Sequence, residues 1–334
     1  MLEGAAGMDE EEKKRAEEAK KIKEQMRRAR RKKTIRRAAV LITGAVVLSA
    51  AATEAMLFVM FGRKGDASTE PFPLREWAAE KGYTWREEAF LSGENTLRGY
   101  LVAGPSPRAR LLIAHGMNAS SDGFEPVVQY FAERGYAVMI FDGTASGRSE
   151  GRRTVGLQQA RLDVAAARAH FDALPEWAGL PLALLGHSAG AYGAALEAWE
   201  TGAAAVVCVS GFDSPLATMR FWGNNYTAGL ADVQYPFLWI RQVASLGRQA
   251  DQPAAKALLE SGVPALVIHG KDDDTIPLSI SLYRKAEEIG ADGVHFLLAE
   301  EEGRSGHNDI LFGAYGANEK LLRKIEAFLR LYVD

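Results

Sequence analysis

Apolar positions in this chain alternate between two kinds of segment. Short, nearly unbroken apolar runs at Leu111–Ala114, Tyr136–Phe141, Leu182–Leu185, Ala203–Val209, Pro264–Ile268 and Gly293–Leu298 predict buried strands. Longer segments between them predict helices: the amphipathic Gly123–Arg134, stopped by Gly135, then Leu157–Leu174, Ser279–Ile289 and the closing Asn318–Leu331. Ahead of these, Thr84–Leu91 and Thr96–Val102 flank a turn at Ser92-Gly93-Glu94-Asn95 and predict an antiparallel pair, preceded by a short helix at Leu74–Lys81. Strands alternating with helices predict an α/β fold with a mostly parallel, eight-stranded sheet covered on both faces. There is no internal repeat.

Residues 211–262 break this alternation. They are rich in aromatic and large apolar residues, among them Phe221, Trp222 and Trp239, without a clear strand. Lying between two sheet strands, the segment predicts a helical insertion above the sheet edge. As a lid, it would use those aromatics to wall an apolar substrate pocket.

The N-terminal part is different again. Residues 1–37 are polar and charged, and eight bases between Arg27 and Arg37 run without an acid among them. From Ala38 to Phe61 the chain is apolar or small apart from Thr43, Ser49, Thr53 and Glu54. As a helix this stretch spans about 36 Å, enough for the ~30 Å hydrocarbon core of a bilayer. Glu54 costs on the order of 3 kcal/mol there, which the apolar remainder offsets. A cleaved signal peptide is the competing reading, because Ala50-Ala51-Ala52 resembles a cleavage region, but the charged segment ahead is too long for one. The expectation is therefore a retained transmembrane helix at 38–61. The preceding bases keep the N-terminus cytoplasmic and place the body beyond the membrane, although Arg63 and Lys64 on the far flank oppose this. A linker at 62–73 and a body from 74 to 334 complete the division.

Charge changes this picture little. Residues 1–64 carry sixteen Lys and Arg against nine Asp and Glu, leaving 24 against 34 in the rest of the chain. So acidic a body does not fit nucleic-acid binding. Cys208 is the only cysteine, so no intrachain disulfide and no cysteine metal cluster can form.

Candidate chemistry centres on Leu182-Ala183-Leu184-Leu185-Gly186-His187-Ser188-Ala189-Gly190, an apolar strand running through Gly-x-Ser-x-Gly into an Ala/Gly-rich helix. A serine on so tight a turn has its hydroxyl lifted clear of the sheet edge. Gly186 and Gly190 fit because a side chain at either position would meet a neighbouring element. Such a hydroxyl needs an imidazole base oriented by a carboxylate. Of the six histidines, His115, His187 and His269 lie at strand ends and read as loop supports, His170 as helical and His295 as core. His307, in the polar loop Glu302–Asp309 after the last strand, is the expected base. The acid is expected from Asp272-Asp273-Asp274, in the loop after another strand; the same cluster lacks the alternate spacing of a calcium loop. An oxyanion would be met by the N–H of Ala189 and by the loop His115-Gly116-Met117-Asn118, with the Met117 N–H ahead of Asn118. Asn118 is also expected in the substrate pocket.

These residues resemble the α/β-hydrolase fold enzymes from about Tyr83 to the C-terminus. The elbow Gly186-His187-Ser188-Ala189-Gly190 and the chain order Ser, Asp, His match that family. Its acid motif, Gly-x-x-Asp-x-x-Val-Pro, aligns with Gly270-Lys271-Asp272-Asp273-Asp274-Thr275-Ile276-Pro277 and selects Asp273. A further turn, Asp-x-Arg-Gly-x-Gly-x-Ser, appears as Asp142–Ser149 with Thr144-Ala145 in place of Arg-Gly, a departure expected to touch only a structural loop. The resemblance implies a serine hydrolase acting on carboxylic esters or related acyl bonds, without cofactor or metal; the apolar lid and the expected membrane helix point to lipid-like esters and a membrane-anchored enzyme. An aminopeptidase-like peptidase and a non-catalytic binding protein on the same fold are the alternatives.

Overall fold

A computed structural model describes residues 3–65, 72–290, 292–313 and 316–334. The chain forms two units that meet between Met56 and Leu57. Helix α1 (Glu3–Phe61) makes up the first and ends in the second. Its polar half is built from strong helix formers and laced by the i,i+4 pairs Glu11–Arg15, Glu17–Lys21 and Glu24–Arg28. Its apolar half leaves Val40, Leu41, Ile42, Val47 and Leu48 between 61 and 73 % exposed. By length and composition the helix is apolar enough to cross a membrane.

The second unit begins with the last turn of α1, where Leu57 and Phe61, four residues apart on one face, are both buried. Gly62 then bridges to Arg153 and the Arg63 N–H donates to the Arg152 carbonyl. The Arg63 guanidinium donates to the carbonyls of Gly147, Ser149 and Gly151. The expected linker at 62–73 is therefore held to the body at its start. At its end Phe72 is buried, its ring 4.4 Å from that of Tyr100, while 66–71 lies outside the described residues.

The elements then follow in order: α2 (Leu74–Glu80), β1 (Thr84–Ser92), β2 (Asn95–Ala103), β3 (Ala109–Ala114), α3 (Glu125–Ala132), β4 (Tyr136–Asp142), α4 (Gln159–Asp172), β5 (Leu182–His187), α5 (Ala189–Thr201), β6 (Ala205–Val209), α6 (Pro215–Thr227), α7 (Ala231–Leu246), α8 (Ala254–Ser261), β7 (Ala265–Gly270), α9 (Leu282–Ile289), β8 (Val294–Ala299) and α10 (Glu319–Val333). The sheet has eight strands in the order β1-β2-β4-β3-β5-β6-β7-β8. Only β2 runs against its neighbours.

Alternating side chains of the central strands feed two separate cores. Leu112, Leu184, Val206 and Val267 pack with α4, α5 and α8 on one face, and Leu111, Leu185, Val207 and Ile268 pack with α3 and α10 on the other. His295 departs from its expected place in the core. It sits on edge strand β8, exposed, with its ring 5.6 Å from that of Phe328. Residues 211–262 are helical as expected. The cap of α9 is Ser281, which accepts from the Arg284 N–H.

The Asp142–Ser149 turn wraps round one carboxylate. Asp142 is fully buried and accepts the N–H groups of Ser121 and Arg148 at 2.8 Å and the Tyr100 hydroxyl at 3.3 Å. Gly147 is required here, since its φ is +45° and a Cβ would lie 2.2 Å from the Asp142 carboxyl carbon. Asp142→Ala should lower stability by about 3 kcal/mol in urea unfolding, because it strands buried donors. Asp122→Ala, removing the more exposed partner of Arg148, should cost less than about 1 kcal/mol.

Candidate active site

Ser188 stands where β5 meets α5, with φ 55° and ψ −119°. The turn closes because two glycines let backbone approach backbone. A Cβ on Gly186 would lie 2.2 Å from the Gly190 carbonyl oxygen, and one on Gly190 would lie 2.1 Å from that of Ala114. This agrees with the collisions expected from the sequence. The Ser188 hydroxyl donates to His307 Nε2 at 3.0 Å, and His307 Nδ1–H donates to Asp273 Oδ2 at 2.8 Å. All three side chains are buried. The other oxygen of Asp273 accepts the N–H groups of Ile276 at 2.8 Å and Thr275 at 3.1 Å. Burial alone would raise the pKa of this carboxyl. The His307 hydrogen bond and charge, with the Ile276 N–H, outweigh it and hold the group below the ordinary carboxylate value. Its neighbour Asp272 instead accepts from the Ser305 hydroxyl, and Asp274 is exposed.

His187 serves the same loop from the other side. Its Nε2–H donates to the His307 carbonyl at 2.8 Å, and its ring lies 5.1 Å from the His307 ring. Complete burial, reinforced by His307, pushes its pKa down to about 4, so at neutral pH it stays uncharged beside the imidazole it supports. His269 donates to the Ile276 carbonyl and is likewise pushed down by burial. His115 braces the loop after β3: the Gly143 N–H donates to its Nε2 and its Nδ1–H donates to the Gly116 carbonyl. Burial drives the Cys208 thiol up to about 12, which removes it as a nucleophile. Among the described residues no three His, Cys, Asp or Glu side chains converge as a metal site.

The expected oxyanion donors flank one cavity. Met117 and Ala189 both line it, with Gly116, Asn118 and Gly190. Gly116 abuts the serine: a Cβ there would lie 2.9 Å from that of Ser188. The helix that starts at Ala189 points its open N–H groups and positive dipole end toward this place. Of the expected pocket residues, Asn118 lines the cavity and the lid aromatics do not. Trp239 is 49 % exposed, because α7 buries its Ala231, Leu238 and Gln242 face and leaves Trp239 outward. Trp222 is half-buried, its indole N–H donating to the Thr275 carbonyl at 2.8 Å, and Phe221 is half-buried. The sequence reading missed Phe61, Phe141, Leu157 and Val164, which form the apolar wall. It also treated Thr144-Ala145 as loop alone, although both residues line the cavity and Ala145 sits at φ 62°. That departure from the motif was the signal available.

Comparison with known proteins shows similarity in fold. A family model described as serine aminopeptidase, S33, matches residues 105–224. No curated protein matches the sequence. Solved structures align over most of the chain. An esterase from Pyrococcus furiosus, Pf2001, superposes with a TM-score of 0.61 at 18% identity, covering 82% of this chain and 99% of that one. An acylaminoacyl peptidase from Pyrococcus horikoshii gives 0.55 at 15% identity, covering 75% of this chain and 42% of that one. A dienelactone hydrolase from Anabaena variabilis gives 0.52 at 17% identity, with 75% and 99% covered. The chain has the α/β-hydrolase fold. Its family-level similarity is to the serine aminopeptidase model, over the segment that follows β2 and runs into α6.

The buried histidines make stability depend on pH. His187 binds a proton at an ordinary ~6.5 when unfolded but only near about 4 when folded. The unfolded state therefore takes up protons first on acidification. His187 stability is complete above pH ~6.5 and is lost as pH falls toward 4, by about 3 kcal/mol. Urea unfolding at pH 7 and pH 5 should show about 2 kcal/mol of this loss, and His187→Gln should reduce the difference between the two.

Proposed function

We propose that the protein hydrolyses carboxylic esters through Ser188, His307 and Asp273. The observation that carries this reading is the hydrogen-bonded run from the Ser188 hydroxyl through His307 to Asp273, at 3.0 and 2.8 Å. Ser188 Oγ attacks the acyl carbon while its proton passes to His307 Nε2. The N–H groups of Met117 and Ala189 receive the oxyanion. The bond to the leaving alcohol breaks, and the alcohol departs with the proton from His307. Water, deprotonated by the same imidazole, then attacks the acyl-enzyme, releasing the carboxylic acid and restoring Ser188. Asp273 stays ionised throughout, which its lowered pKa supports. It orients His307 and stabilises the imidazolium.

A peptidase is the second reading, favoured by the description of the family model. The two separate on a panel of p-nitrophenyl esters with an aminoacyl anilide beside them. The expected result is ester turnover that falls about 10⁴–10⁶-fold in Ser188→Ala, with the thermal melt nearly unchanged and the anilide untouched. Anilide turnover above ester turnover would favour the peptidase. Ester turnover surviving in Ser188→Ala would show that another group is the nucleophile.

We further propose that α1 anchors the protein as a single span with a cytoplasmic N-terminus and the hydrolase body on the far side. The last turn of α1 is buried in the body, which leaves residues 38–56 for the bilayer. That length is about 28 Å, still close to a hydrocarbon core. The bases between Arg27 and Arg37 support this orientation. Protease added to intact cells should then degrade the body. Protection until the membrane is permeabilised would reverse the topology.

A further inference from the structure

The cavity lined by Gly116 and Ala189, the residues that flank Ser188, has a volume of about 60 Å³. Its place relative to the reacting atoms identifies what it holds. A carbonyl carbon attacked by Ser188 carries three other groups. Its oxygen turns to the Met117 and Ala189 N–H groups, and its leaving group must lie beside His307, which returns the proton. The third substituent is the acyl chain. The cavity is walled by Gly116, Met117, Ala189 and Gly190, whereas His307 lines a separate, open and polar depression with Asp272, Asp274, Thr275 and Asn308. The cavity is therefore on the acyl side.

Its size and lining set the chemistry. A cavity of about 150 Å³ holds one benzene ring, so a cavity of this size takes only a short length of chain. The far wall is apolar, made by Phe61, Phe141, Leu157, Ala160 and Val164. Asp163, the carboxylate in the wall, is already engaged: it accepts from Ser92, Gln159 and both the N–H and hydroxyl of Thr144. Those bonds fix it as support for the Thr144-Ala145 loop. Phe61 is 3 % exposed and comes from the last turn of α1, far in sequence from Ser188.

We propose that this cavity is the acyl pocket, that the substrate is an ester of a short, straight acyl chain, and that Phe61 sets the chain length. This deepens the hydrolase reading and rests on it. The last turn of α1 thus becomes part of the substrate site.

The test uses the full-length chain and p-nitrophenyl esters of two to twelve carbons. Wild type should show the highest kcat/KM at about six carbons or fewer and fall at least tenfold by ten, a loss in the range expected for methylenes a pocket cannot take. Phe61→Ala should raise the ratio of decanoyl to butanoyl turnover at least about tenfold. Ala160→Leu, which fills the same cavity from α4, should shift preference toward acetyl. If Phe61→Ala does not fold by its circular dichroism melt, Ala160→Leu decides. An unchanged chain-length profile in the folded variants, or a wild-type optimum at ten carbons or more, overturns the proposal. Absence of any Ser188-dependent ester turnover would overturn the hydrolase reading itself, so the two failures read out separately.

Discussion

A serine in left-handed backbone geometry, wedged between the end of a buried strand and the start of a helix, costs on the order of 1–3 kcal/mol. The surroundings must hold it there. In this protein they do so by removing side chains. Gly186 and Gly190 allow carbonyls at distances no Cβ could share, and Gly116 brings the loop after β3 against the Ser188 side chain. The cores on the two faces of the sheet then lock β5 between β3 and β6. The strained turn aims a hydroxyl at His307 and leaves the N–H of Ala189 facing the same space.

Around that turn, histidines act as struts. His115, His187 and His269 each bond a backbone group in a loop that carries or faces the site. Burial keeps His187 and His269 uncharged. Loops braced in this way bring Ser188, His307 and Asp273 together from distant parts of the chain.

Much of this was legible in the sequence for physical reasons. Buried parallel strands must be apolar along their length, so β3 to β7 announced themselves, and the short turn at 92–95 could only join antiparallel strands. Ser188 was legible because its turn tolerates so few residues. The cavity was not. Its walls come from Phe61, Phe141, Leu157 and Val164, which the linear pattern reads as anchor, strand and helix core. The aromatics of the lid drew attention by composition, but α7 turns Trp239 outward, and periodicity alone does not say which helix covers which mouth. His295 misled in the same way, because alternation in a strand does not reveal that the strand is an edge. The end of the expected transmembrane stretch was blurred too. Leu57 and Phe61 continue the apolar run without a break, yet they pack into the body.

The account depends on Ser188 being an activated nucleophile. The direct test is to expose the folded protein to a fluorophosphonate and locate the adduct by mass spectrometry. A single covalent phosphonyl group on Ser188, absent in His307→Ala, is the predicted result. No adduct on well-folded protein, or an adduct on another residue with Ser188 left free, would contradict it.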